Sequence, residues 1–166
     1  MAVENTPHHG EDAGASRRTD LLVALGLALA VFVVDQVLKS VVEASMLAGE
    51  SIPVIPGFLS ITYIRNDGGA FGILGGSQLL LLVGSVVAVG VVLWMLFAEQ
   101  RSRLATLACG LILGGAAGNL LDRLTTGEVT DYAHFSFWYV FNAADAAITV
   151  GVALLILSTF RMQEKD

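Results

Sequence analysis

The 166-residue chain is predicted to be an all-α membrane protein built on four transmembrane helices. Three observations predict this. Hydrophobic residues make up 55% of the chain and charged residues 14%, with a mean hydropathy of +0.72, whereas a soluble domain carries about a quarter charged residues. Four apolar runs each approach the roughly 20 residues that cross a hydrocarbon core as helix. The Lys and Arg residues also fall preferentially in alternate connections between those runs, as the positive-inside rule requires. The formal charge of -6 excludes the basic face that nucleic-acid binding calls for. The single cysteine, Cys109, lies in an apolar run and is expected to be a small buried core residue.

Taken in order, residues 1–20 are polar and nearly free of large apolar side chains, and are expected to form a disordered tail. They are not read as a secretory signal peptide, because the apolar run that follows is too long and lacks a small-residue cleavage site. Residues 21–166 are then one four-helix domain. The first helix is expected from Leu21 to about Val42, interrupted by Asp35 and Lys39. Residues 45–78 follow, where SIPVIPGFLSITYIRN alternates β-branched and aromatic positions and predicts short strands before a Gly-rich turn, NDGGAFG. The second helix, Leu79–Ala98, carries no charge; the third is Leu104–Leu121. Residues 123–140 are expected to be an outer loop whose FSFWYVF stretch suits the membrane interface. The fourth helix is Phe141–Phe160 and contains Asp145.

Orientation follows from charge. Arg17 and Arg18 precede the first helix, Arg101 and Arg103 link the second to the third, and Arg161 and Lys165 follow the fourth. All six share the inner side if both termini are inside. The outer side then holds Lys39, Arg65 and Arg123, two of them beside the acids Asp35 and Asp122. In this topology Asp35, Asp122 and Asp145 converge near the outer interface, and ionisable residues within a membrane are functional candidates.

Several groups at that level can do chemistry. Gly110, Gly114 and Gly118 recur every four residues and form one ridge that lets another helix approach closely. Asn119 and Asp122 share a helical face; Asp122 with Arg123 is either a structural ion pair or a direct participant. Asn142 and Asp145 share a face, so Asn142 either caps the fourth helix or orients the carboxylate, or does both. Asp131, taken alone, is a solvated loop acid. His134 is expected to be an interfacial polar residue rather than a base. Two carboxyls brought together hold one proton near neutral pH and can do acid and base work jointly, as in aspartic proteases, without a metal. A divalent cation on Asp122, Asp131 and Asp145 is the competing use of oxygen ligands, with Arg123 arguing against it. No GxSxG or HExxH is present.

Five strings, in one order, resemble the signal peptidase II family of bacterial lipoprotein signal peptidases: DQVLK at 35–39, NDGGAFG at 66–72, GGAAGNLLDR at 114–123, VTDY at 129–132 and FNAADAAITVG at 141–151. The resemblance covers most of residues 21–160. It implies a membrane aspartyl endopeptidase, free of cofactor, that cleaves prolipoproteins on the amino side of a diacylglyceryl-modified cysteine. It implies Asp131 and Asp145 as the catalytic pair, with Asn66, Asn119, Asp122, Arg123 and Asn142 supporting the site and holding substrate, and Asp35 with Lys39 as a structural pair. It further implies a small extracytoplasmic β-cradle and a short lid helix, both supplied by residues 45–78, inhibition by globomycin, and residence in the bacterial cytoplasmic membrane with the site near the outer face. A monomer in contact with membrane lipid and its lipidated substrates is expected. Gly69 stands where the family often has alanine, and the stretch between Asp131 and Asp145 is shorter than in many relatives. The competing functions are a small proton-coupled transporter using the same acids, a purely structural membrane subunit, and a metal-dependent phosphotransferase.

Overall fold

Residues 9–68, 78–97 and 102–163 are described in a computed structural model of the chain. His9–Ser45 form one continuous helix, α1. At 1.5 Å per residue it is roughly 55 Å long, well beyond a hydrocarbon core of about 30 Å. The segment expected to be a disordered tail is therefore helical from His9 onward; residues 1–8 lie outside the described residues. Once the apolar span is helical, each added polar residue avoids the cost of nucleation. Arg17 also ties this part of α1 down, its Nη2 donating to the carbonyl of Phe97 at 2.7 Å.

After α1 come strands β1 (Ser51–Ile55) and β2 (Leu59–Asn66), then helices α2 (Gln78–Phe97) and α3 (Arg103–Thr125), strand β3 (Val129–Phe135) and helix α4 (Ala143–Gln163). Among the described residues three helices, over Ser16–Ser45, Arg103–Thr125 and Ala143–Arg161, are long and apolar enough to cross a membrane, and α2 adds a shorter apolar stretch, Leu82–Phe97. Large apolar side chains face outward from these helices, among them Leu22, Leu29, Trp94 and Phe160, each more than 60% exposed. Such a surface is stable against lipid, not against water.

Helix α3 is the hub. It is buried along much of its length because its small residues let three neighbours close on it. The predicted glycine ridge faces α1: a methyl on Gly110 would stand 2.8 Å from the Ala24 carbonyl oxygen, and one on Gly114 or Gly118 would collide with Ala28 or with the Asp35 carboxylate. Gly115, one position off that ridge, meets α4 at Ala144 and Ile148, and α4 returns the contact with Gly151 against Ala108 and Ile112. Val92 and Leu96 of α2 pack with Cys109, Ile112 and Leu113. These pairings make α1 parallel to α3, and α2 and α4 antiparallel to both. The end of α1, the start of α2, the end of α3 and the start of α4 therefore meet at one end of the bundle, while Arg17, Arg103 and Arg161 lie at the other.

The sheet sits at the acidic end. Its order is β1-β2-β3 and both pairs are antiparallel. β1 and β2 are the strands expected within 45–78, joined by a turn at Gly57, whose φ of 75° lies where glycine is strain-free. The third strand was not expected: Val129–Phe135 lies in the stretch read as an outer loop, and it pairs with β2 so that Ile64 faces Asp131 and Asn66 faces Val129. Residues 129–132 are buried one after another, so the strand lacks the alternation that a half-exposed strand displays. The lid helix expected within 45–78 is not found among the described residues; residues 69–77, Gly69 among them, lie outside these. The aromatic stretch does reach the surface, with Phe137, Trp138 and Tyr139 exposed.

Candidate active site

Asp131 and Asp145 arrive from different elements. Asp131 is carried on β3 and is 1% exposed. Asp145 sits in the first turn of α4, where a carboxylate suits the positive end of the helix dipole. The side chain that joins them is Asn142. Its Oδ1 accepts from the Asp145 backbone N–H at 2.9 Å, while its own N–H donates to Asp145 Oδ2 at 3.4 Å. This is a capping box closed by Asp in place of Glu. The same residue donates Nδ2 to Asp131 Oδ1 at 2.7 Å. Asn142 thus caps the helix and orients a carboxylate, and the carboxylate whose oxygen it binds through Nδ2 belongs to Asp131.

A second asparagine completes the frame. Asn119 Nδ2 donates to Asp145 Oδ1 at 2.8 Å. Its Oδ1 accepts from Asn142 Nδ2 at 3.1 Å and from Lys39 Nζ at 2.9 Å. Two donors converging on one atom identify it as the oxygen, which leaves the amide nitrogen facing Asp145. Asn66, at the end of β2, donates Nδ2 to the remaining Asp131 oxygen at 2.9 Å.

Lys39 stands behind this frame. It is 2% exposed and pairs with Asp35 Oδ2 and Asp122 Oδ2, each at 2.7 Å. Asp35, fully buried, also accepts from the Ala144 backbone N–H at 2.9 Å, so α1 satisfies one of the unpaired donors at the start of α4. Asp35 and Lys39, the pair that the resemblance implies, are in contact, and the network runs on from Lys39 through Asn119 to Asp145. The Asp122 carboxylate, placed beside Arg123 by sequence, is bound by Lys39. Arg123 Nη1 reaches Ser85 Oγ and the Asn119 carbonyl, both at 3.3 Å, and its charge also acts on Asp145.

Gln36, Glu43, Thr130 and Tyr132 belong to this network and were not singled out beforehand. Gln36 Nε2 donates to Asp122 Oδ1 at 3.0 Å. Tyr132 OH accepts from the Ala143 N–H at 3.2 Å, and burial raises its phenol to about 12. Three of the four lie inside the quoted strings DQVLK and VTDY, which was the available signal. Glu43 had none, being one acid near the end of a helix.

Electrostatics favour the protonated form of Asp131. Burial pushes the Asp131 carboxyl up to about 6, and the negative charge of Asp145 pushes it the same way, against the opposing hydrogen bonds from Asn66 and Asn142. Such an acid is poised to exchange a proton near neutral pH. His134 lies away from the pair, its Nδ1 near Ser60 and Thr62 hydroxyls at 3.4 and 3.5 Å. Among the described residues no group of three or more His, Cys, Asp or Glu side chains is arranged to hold a metal ion. Asp122, Asp131 and Asp145, the acids of the competing metal reading, are bound by amide and ammonium donors.

Known proteins fit this arrangement. A family profile described as Signal peptidase (SPase) II matches residues 27–161. The lipoprotein signal peptidase of Halothermothrix orenii is 44% identical over 137 residues, covering 82% of this chain and 94% of that protein. That of Symbiobacterium thermophilum is 39% identical over 150 residues, covering 87% and 98%. A bacterial membrane enzyme solved by the in meso method at 2.3 Å resolution superposes with a TM-score of 0.80 at 31% identity, covering 87% of this chain and 91% of its own. The span of the profile match and the near-complete overlap with relatives at about 40% identity show that the chain belongs to the signal peptidase II family of proteases.

Proposed function

We propose that this protein is an aspartyl endopeptidase of the cytoplasmic membrane in which Asp131 and Asp145 share one proton and cut diacylglyceryl-modified prolipoproteins on the amino side of the lipidated cysteine. The ionised carboxylate draws a proton from water, and the protonated one polarises the scissile carbonyl. Water adds, and return of a proton to the nitrogen expels the amine. The observation that supports this reading is Asn142, which donates its Nδ2 to the Asp131 carboxyl and its backbone N–H to the Asp145 carboxyl, and so ties both acids to one residue. Asn66, Asn119 and Lys39 fix the carboxyls, and Asp122 and Arg123 complete the site.

Four membrane spans with both termini inside agree with the helix directions and with Arg17, Arg103 and Arg161 lying opposite the acids. The acids then lie at the outer surface, where a lipid-anchored cysteine presents its peptide bond while its acyl chains stay among apolar helix faces. A proton relay calls for ionisable groups at successive depths; the described α2 carries none, and the acids collect at one end. The transporter alternative therefore has no support.

Cleavage of a lipidated prolipoprotein by purified protein tests this. Asp131→Asn and Asp145→Asn are each expected to lose activity by at least about 1,000-fold, since removing one member disables a unit that acts jointly. Excess chelator is expected to leave the wild-type rate unchanged. Turnover by either variant at the wild-type rate, or loss of wild-type activity with chelator, would contradict the mechanism.

A further inference from the structure

We infer that Thr130, held by Glu43, is a positioning residue that sets the direction of the Asp131 carboxyl; this rests on Asp131 being catalytic. Thr130, the residue before Asp131, is gripped by α1, by α3 and by the cap of α4. Thr130 Oγ1 donates to Glu43 Oε1 of α1 at 2.5 Å. Its backbone N–H points to Asp122 Oδ2 of α3 at 3.4 Å. Its carbonyl accepts from Asn142 Nδ2, at the start of α4, at 3.3 Å.

The strand needs such a grip. Pairing of β2 with β3 breaks register between Ile61 and Ile64, immediately before the Ile64–Asp131 pair. A register break interrupts the ladder and lets the strand twist locally. Consecutive side chains on a strand project to opposite faces. A bond that fixes the Thr130 hydroxyl on one face therefore fixes the rotation of the strand, and with it the Asp131 carboxyl on the other. Hydrogen bonds to an ionised acceptor are roughly twice as strong as neutral ones. Thr130 is 5% exposed and gives its hydroxyl to Glu43 rather than to either catalytic carboxyl. Loss of the hydroxyl should then leave substrate binding intact and misplace one reacting group.

Steady-state cleavage of a lipidated prolipoprotein by the full-length protein separates these effects. Thr130→Val is expected to lower kcat roughly 10- to 100-fold with KM within about twofold, the size of loss that follows a misplacement on the order of 1 Å. Thr130→Ser, which keeps the hydroxyl, should restore kcat to within about threefold of wild type. Glu43→Ala should lower kcat in the same way, and the double variant should be no worse than Thr130→Val alone, because both remove one interaction. Glu43 lies on the exposed end of α1, so its variants report on the grip even if Thr130→Val fails to fold. A wild-type kcat in Glu43→Ala, an effect confined to KM, or a serine variant as impaired as valine would overturn the inference. Asp131→Asn run alongside separates the two levels. If it is inactive while Thr130→Val and Glu43→Ala turn over normally, the positioning role alone falls. If it is active, the catalytic assignment falls and takes the positioning role with it.

Discussion

Asp131 ties folding to pH. Its carboxyl rises from an ordinary 3.8 to about 6 in the folded protein. Between those values the folded chain holds a proton that the unfolded chain has released, so stability falls as pH rises from about 4 to about 7. The gap corresponds to roughly 3 kcal/mol at neutral pH. Asp131→Asn cannot ionise and escapes this loss. Thermal unfolding in detergent is expected to find the variant more stable than wild type at pH 7.5 by up to that amount, with the advantage shrinking toward pH 4.5. A difference that does not change with pH would mean that burial does not penalise this carboxylate. The same group is the one proposed to exchange a proton with water and substrate, so the instability lies where the chemistry requires it. At this scale the sequence was informative wherever residues were close along the chain. Asp35 and Lys39, four apart, and Asn142 and Asp145, three apart, could be placed together from helical geometry alone. The bonds from Lys39 to Asn119 and from Asn66 to Asp131 span 80 and 65 positions, and no local rule brings those residues together.

The bundle owes its closeness to the absence of side chains at particular helix positions. A methyl group at Gly114 would overlap backbone of α1 at Ala28 and could be accommodated only by moving that helix. Gly114→Ala is expected to cost about 1–3 kcal/mol, the usual penalty of overpacking, and to lower activity by shifting Asp35 and Lys39. Gly90, on α2, has nothing within 4 Å of the equivalent position. Gly90→Ala should be neutral or stabilising by up to about 1 kcal/mol, since alanine is the better helix former. Melting temperatures of the two variants check the contrast, and equal effects would refute the packing account. The four-residue glycine spacing announced the ridge without naming α1 as its partner. Strand β3 shows the opposite case. Its Val, Thr, Tyr and Phe favour a strand, yet it is buried on both faces at its start, and its ladder partner is β2, two helices earlier in the chain, with Phe141 meeting it only as an isolated bridge at Ala133. Neither alternation nor a neighbouring hairpin partner marked it.

The molecule as a whole sets three arginines and the three aspartates of the site at opposite ends. The arginines Arg17, Arg103 and Arg161 lie at one end of the helices, while Asp122, Asp131 and Asp145 share the other with the sheet. The proposed orientation places the acidic end outside the cell. In a Cys109→Ala background, a membrane-impermeant maleimide applied to intact cells should label Leu47→Cys and Phe137→Cys, both at exposed positions beside the sheet. Ser16→Cys should be labelled only after lysis. Labelling of Ser16→Cys in intact cells would reverse the orientation.

Sequence alone determined that the chain needs an apolar solvent, where its apolar spans run, which family it resembles and which acids that resemblance implies as the pair, because hydropathy, helical period and short motifs are local properties. Tertiary structure decided how those acids meet. It set Asp131 on a third strand, made Asn142 the link between two carboxyls, and turned Lys39 from half of an ion pair into the root of a frame. These outcomes depend on α1, α3 and α4 packing closely enough for polar groups far apart in the chain to satisfy one another away from water.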